Sequence, residues 1–519
     1  MTLAARFPCD DSAARRGPAV PGCGPAQKRW VLVASILGSS LAFIDGTVVN
    51  VALPAIQHEL QASVYQAQWV IESYALLLAA LLLVGGSLGD RLGRRRVFMA
   101  GVVVFALASV ACALSQTANQ LIAARALQGV GGALLVPGSL ALISATFPEG
   151  ERGAAFGTWA AFSGITSALG PLLGGFLIDR LSWSWAFGIN VPLAALVLAI
   201  AWWRVPESRR PGPLPRLDVA GAALGTLGLA GCVFFFIEAP ARGWGSPAVL
   251  AAGAIGFGAL AAFFRVERTI AEPMLPLHLL RNPNFAGANL LTLLLYAALG
   301  GGLFFLPLNL IQVQGLSATA AGAALLPFTV IMFLLSRWAG GLVDRHGARG
   351  PLLAGASMAA VGFALLALPG TGAGYWHFLP GIAVLGLGMG IAVAPLTTTV
   401  MNSVPPDAAG VASGVNNALS RVAGVLAIAV FGVVMVLVFE PRLRGAAAAL
   451  PSELGDALWQ QRSRLAAIEL PPGARGAQEA VRQAFVAGYR WIMAISAVLA
   501  LGGAAVAALW IEPRAPERS

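Results

Sequence analysis

Apolar runs of roughly 18 to 25 residues recur along almost the whole of this chain, and that feature limits what it can fold into. Wound as a helix at ~1.5 Å per residue, each run crosses a ~30 Å hydrocarbon core. With 58% hydrophobic and only 11% charged residues among 519, the chain has too few polar groups for a water-soluble surface. The sequence therefore predicts an all-α integral membrane protein. Length and flanking charge give about fourteen spans, starting near Trp30, Gln68, Val97, Gln120, Gly153, Trp185, Asp218, Ala248, Phe285, Ala320, Pro351, Tyr375, Ala408 and Val486.

The net charge of +10 would suggest nucleic acid in a soluble protein, but here the basic residues gather in short loops. Nucleic acid is not an expected partner; the bilayer is. Arg91 and Arg94 to Arg96 follow the second span, Arg204, Arg209, Arg210 and Arg216 the sixth, Arg265, Arg268 and Arg281 the eighth, and Arg345 and Arg349 the tenth. Loops on the other side carry little beyond Arg180 and Arg242. The positive-inside rule then puts both termini in the cytoplasm, and the expected location is the inner (plasma) membrane. Residues 1–29 and 513–519 are expected to be cytoplasmic tails, the first disordered and lacking a signal-peptide pattern. Segment 440–482, amphipathic and mixed in charge, is expected as an extracytoplasmic loop. The four cysteines have neither metal-ligand nor disulfide spacing, and no metal is expected.

A repeat organises these spans. GSLGDRLGRR from Gly86 to Arg95 returns as GGLVDRHGAR from Gly340 to Arg349, an offset of 254 positions. Six spans over 30–204 and a two-span insertion over 205–284 account for that offset, leaving a second six-span bundle over 285–512. Gly153 and Gly157 at the fifth span are likewise echoed by Gly410 and Gly414. Paired six-helix bundles are a transporter architecture, with the substrate between the halves and access alternating by rocking. A duplicated structural bundle would leave the same trace.

The Gly86 to Arg95 stretch resembles the loop signature of the major facilitator superfamily. The copy with Ala348 in place of Arg94 resembles its second-half counterpart. More narrowly, the chain resembles the fourteen-helix drug:proton antiporter family. DGTVVNVALP from Asp45 to Pro54 is similar to its first-helix motif, ARALQGVGGA from Ala124 to Ala133 to its fourth-helix motif, and GPLLGG from Gly170 to Gly175 to its exporter signature. Gly157 fits that signature too, while Thr166 stands where it has glycine. The resemblance implies a multidrug exporter that is driven by the proton gradient, uses no other cofactor, and acts as a monomer on a small-molecule substrate.

The chemistry of the residues is compatible with this. Gly157, Gly170, Gly174 and Gly175 with Pro171 make the fifth span bendable and allow close helix approach, although ordinary small-residue packing would use the same glycines. Asp90 contributes nothing to a positive-inside signal. It is expected to meet a basic group or a helix N-terminus across the halves, as part of a latch made of Gly86, Asp90, Arg91, Gly93 and Arg94, with Asp344 and Arg345 as a lesser copy.

Charges inside spans cost ~2.5 to 3.5 kcal/mol on insertion scales and mark cavities or partners. Asp45, Glu72, Arg125 and Arg421 are such charges. The first three are expected in the outer part of one bundle as a proton-coupling group, with a structural ion pair as the other reading. The second-half counterpart of Asp45 is Leu299, so the acid is not duplicated. Tyr74, Tyr296, Phe304, Phe305, Trp376, Asn416 and Arg421 are candidates for a cavity that takes lipophilic, cationic molecules. A facilitative or proton-symport carrier of a small metabolite is the other transport reading. The four scattered histidines give no catalytic pairing, so no catalytic residue and no enzyme is expected.

Overall fold

Ser63 illustrates how this sequence starts its helices: its hydroxyl accepts from the Gln66 N–H at 3.2 Å while the Gln66 side chain accepts from the Ser63 N–H at 3.0 Å. Thr117, Asp218, Asn282 and Ser317 cap four further helices through the same first-turn donors, groups that no carbonyl of their own helix can satisfy. The computed structural model describes residues 24–209, 218–270, 273, 275, 277–404, 409–471 and 474–513. The expected disorder of 1–23 and the tail 514–519 lie outside the described residues.

Among the described residues thirteen helices are long and apolar enough to cross a membrane, and a pair bent by 51° makes a fourteenth span. The first bundle holds α1 (Pro25–Glu59), the bent α2 (Val64–Leu92), α3 (Arg94–Ala113), α4 (Ala118–Thr146), α5 (Glu149–Arg180) and α6 (Trp185–Arg204). Helices α7 (Val219–Arg242) and α8 (Pro247–Glu267) form the inserted hairpin. The second bundle holds α9 (Pro283–Val313), α10 (Ala318–Ala324 and Leu326–His346), α11 (Arg349–Leu366), α12 (Tyr375–Asn402), α13 (Ala409–Ala448) and α14 (Arg475–Trp510).

Helix ends differ from the sequence expectation in three places. α1 already begins at Pro25, inside the predicted tail, because proline's fixed φ and missing N–H suit a first turn. Segment 440–482 is largely helical: α13 runs on to Ala448, Ser452–Gln460 forms a short helix, and α14 starts at Arg475. A 40-residue helix at ~1.5 Å per residue is about twice the hydrocarbon thickness, so α13 projects beyond it.

Glycines set the closest helix approaches. Gly231 of α7 and Gly256 of α8 put backbone against backbone within the hairpin. Gly131 does the same for α4 against Phe105 of α3. The hairpin packs beside the junction of the bundles: Val233 and Ile237 of α7 share a buried cluster with Val425 and Ala429 of α13. In addition, the Trp69 Nε1 of α2 donates to Glu238 Oε1 at 2.9 Å.

Candidate functional site

Four helices of the first bundle converge on one buried carboxylate. Asp45 of α1 is fully enclosed. Its Oδ2 accepts from the Arg125 Nη1 of α4, and its Oδ1 accepts from Gln128 Nε2 at 2.7 Å and from the Asn190 Nδ2 of α6 at 3.1 Å. Ser109 of α3 closes the set by accepting from Gln128 at 2.9 Å and donating to the Phe105 carbonyl at 2.8 Å. Arg125 spends its other donors on Gln128 Oε1 at 2.6 Å and the Val70 carbonyl at 3.0 Å. Its guanidinium also lies 4.2 Å from the centre of the Tyr74 ring. A buried ion pair is tolerated when hydrogen bonds and packing engage its remaining lone pairs and protons, and this network supplies such hydrogen bonds and an aromatic face.

Glu72 is the opposite case. It too is fully buried, but neither carboxylate oxygen has a hydrogen-bond partner among the described residues. One helical turn before it, Gln68 Nε2 donates to the Ile428 carbonyl of α13 at 2.7 Å, so this face of α2 looks toward the junction with the second bundle. The structure thus brings Asp45 and Arg125 together and leaves Glu72 out of that network.

All hydrogen bonds seen between described residues of the two bundles lie on the face opposite the arginine-rich loops. Asp179 at the end of α5 accepts from the backbone N–H groups of Ala318 (3.1 Å) and Thr319 (2.8 Å) in the first turn of α10. Gln312 donates to Gln57 at 2.9 Å, and Gln61 to Glu469 at 3.2 Å. Beneath them α5 and α10 interlock through small residues: Gly175 lies against the Ala318 backbone and Gly322 against the Pro171 carbonyl. Gly170 and Gly174 fit against Thr47 and Val48 of α1. Near the arginine-rich face Gly157 has no neighbour within 4 Å of the position a Cβ would take. Among the described residues the close contacts between the bundles are therefore concentrated at one face.

Among the described side chains the predicted latch contact of Asp90 is local: its Oδ1 accepts from Arg94 Nε at 2.9 Å, four residues on. The helix N-terminus at that corner is taken by a different acid. Glu207, beyond α6, accepts from the Arg95 N–H at 3.0 Å and lies 3.6 Å from the Arg96 guanidinium. It also occupies the space a side chain at Gly93 would need, where φ is +115°. Gly86 sits beside Pro137, and Arg91 lies in the last turn of α2. The side chains of Asp344 and Arg345 lie outside the described residues.

Three aromatic cavity candidates are corrected. Phe304 and Phe305 pack edge to face at 4.8 Å in the second-bundle core, because α9 is enclosed on several sides. Trp376 is 75% exposed at the start of α12 beside Tyr375, a place suited to a membrane-interface ring. Asn416 ties α13 to α9 by donating to Thr292 Oγ1 (2.6 Å) and Asn289 Oδ1 (3.2 Å). Tyr74 and Tyr296 remain, one from each bundle, and both are near enough to Arg421 to feel its charge.

Sequence reasoning gave no role to Gln128, Asn190, Ser109, Asp179 or Glu207. Gln128 stood inside a quoted motif, and Glu207 and Asp179 were acids near span ends, detectable by the logic applied to Asp90. Asn190 and Ser109 carried no signal of their own.

Residues 35–428 match the model of the Major Facilitator Superfamily. The chain is 39% identical over 417 residues to a puromycin resistance protein of Streptomyces alboniger, covering 79% of this chain and 82% of that one. It is 34% identical to a tetracenomycin C resistance and export protein of Streptomyces glaucescens, covering 80% and 77%. Among solved structures, an inward-facing, unoccupied bacterial homologue of the human lysosomal transporter Spinster superposes with a TM-score of 0.65 at 17% identity. That match covers 95% of this chain and 100% of that one.

Proposed function

The chain belongs to the Major Facilitator Superfamily, and we propose that this multi-pass membrane transporter exports lipophilic small molecules in exchange for protons. Efflux follows from relatives named for antibiotic resistance and export. The arginine-rich face is the cytoplasmic one, with both termini there, in the inner (plasma) membrane. The protein works as a monomer, and the proton gradient is its energy source.

The contrast between the two buried acids carries the proton-coupling reading. Asp45 is saturated by donors and an arginine, so its oxygens are committed to the network that joins the helices of the first bundle. Glu72 has no donor among the described residues, so its carboxyl group can take up and release a proton without breaking a contact of the fold. Two carboxylates in opposite surroundings divide the labour of holding charge and exchanging a proton. Glu72 is the exchanger, taking its proton when the junction beside it opens to the outside. One proton crossing ~150 mV supplies ~3.5 kcal/mol at ~2.3 kcal/mol per 100 mV. That sustains a roughly 300-fold gradient of a neutral substrate at ~1.4 kcal/mol per tenfold.

Alternating access supplies the rest. Opening the far face breaks the contacts of Asp179, Gln57 and Gln68, and closing the arginine-rich face brings Asp90 within reach of the second bundle. The two acids buried in the spans of the first bundle do not offer a free carboxylate to a cation: Glu72 is enclosed and Asp45 is already paired.

The test is transport by the purified protein in liposomes. An imposed pH gradient should drive accumulation of a lipophilic dye against its own gradient, and a protonophore should abolish it. Uptake in the direction of proton flow would identify a symporter instead, and transport unaffected by the protonophore would identify a facilitative carrier.

A further inference from the structure

Arg421 is a cation inside the second bundle without a counter-charge. No acid and no hydrogen-bond acceptor among the described residues engages its guanidinium. Two tyrosines, Tyr74 of α2 and Tyr296 of α9, one from each bundle, are near enough to feel its charge. The residue is only partly buried. On the same face of α13, one and two turns further on, Val425 meets α7 and Ile428 meets Gln68 of α2. Arg421 therefore lies on the junction between the bundles, one to two turns from its tight end toward the arginine-rich face.

A charge within a bilayer-spanning helix is costly to insert and is retained where it serves a partner or a pathway. Arg125 has such a partner inside the protein; Arg421 has none among the described residues. We propose that the missing partner is the substrate: Arg421 anchors lipophilic small molecules that carry one anionic group, a carboxylate, phenolate or enolate. This rests on the export reading above, for which it names the substrate class. A guanidinium offers a planar fork of donors that matches a carboxylate and stays charged at every physiological pH. A lipophilic cation at the same place would meet like charge with no screening acid nearby.

Tyr74 joins this anchor to the first-bundle network. Its ring faces the Arg125 guanidinium, its hydroxyl donates to the Ala42 carbonyl at 3.3 Å, and it interacts with Arg421. An anion bound at Arg421 therefore lies within electrostatic reach of the ring that faces Arg125.

Binding to purified protein in lipid nanodiscs, without a proton gradient, tests this apart from the proton-coupling reading. The probes are fluorescein, an anion, and tetramethylrhodamine methyl ester, a cation on the same ring system. Fluorescein should bind at least tenfold more tightly than the rhodamine ester. Arg421→Gln should remove that preference, and Arg421→Lys should keep part of it. Each variant's melting temperature should stay near that of the wild type, and an unfolded Arg421→Gln would leave the comparison to Arg421→Lys and the wild type. Tighter binding of the cation to the wild type, or a preference for fluorescein that survives Arg421→Gln, overturns the proposal. Fluorescein binding that depends on Arg421 but transport indifferent to a pH gradient would uphold the anchor and sink proton exchange.

Discussion

Arg125 donates to Asp45 across 80 positions of sequence, with the two side chains 1% and 0% exposed. The pair fastens α4 to α1, and Gln128 and Asn190 complete it from the same bundle. It is therefore as much a structural joint as a charge site, which changes what a neutralising substitution at Asp45 should do.

Asp45→Asn should destabilise the protein by about 3 to 5 kcal/mol, since removing one member of a buried pair leaves the other uncompensated. Asp45→Asn with Arg125→Gln should recover much of that stability while transport stays lost. Thermal unfolding in detergent measures both. A single variant as stable as the wild type would show that Arg125 finds another counter-charge.

Glu72→Gln should do the reverse. No hydrogen bond is lost, because neither oxygen has a partner, so stability should change by less than about 1 kcal/mol. Transport driven by a pH gradient should stop, while exchange of labelled for unlabelled substrate continues. Gradient-driven transport at the normal rate in this variant would return the proton role to Asp45 or remove it from both acids.

Gly175→Val should hold the far face open, because any side chain there meets the Ala318 backbone, which cannot swing aside as a side-chain tip can. A cysteine replacing Gln68, 1% exposed at the junction, reports the change. Its labelling by a membrane-impermeant maleimide should speed up several-fold in the Gly175→Val background. An unchanged rate would mean that closure does not depend on this contact.

Asp179→Asn should shift the same equilibrium more gently. Replacing a carboxylate at the first turn of α10 by an amide removes about 0.3 to 1 kcal/mol of charge–dipole attraction and leaves one acceptor oxygen for two N–H groups. A shift of roughly twofold to fivefold toward the open far face is expected, read by the labelling assay at Gln68→Cys. A shift toward closure would contradict the contact's role.

Asp90→Asn should barely alter stability in this conformation, because its pair with Arg94 is an i,i+4 contact worth ~0.3 to 0.5 kcal/mol. Transport should nevertheless fall, if Asp90 acts when the arginine-rich face closes. Ligand binding that falls in parallel with transport would remove the latch role.

The sequence by itself determined the spans, the repeat and the identity of the charged residues within the membrane. Each of these depends on a local quantity: the solvation of a segment of ~20 residues, the sign of a loop's charges, or a motif read twice. Which groups meet was decided only by the tertiary structure. Asp45 found Arg125, Gln128 and Asn190 on two other helices, while Glu72, equally acidic and equally buried, found none. Phe304 and Phe305 turned into the core and Trp376 away from it. Asp90 paired within its own corner, whereas Asp179, which the sequence had not singled out, bridged the bundles. In water an apolar stripe marks the face of a helix that turns inward. In a bilayer the lipid side is as apolar as the core, so the rotation of each helix about its axis is fixed by small-residue packing and by polar partners on helices distant in sequence.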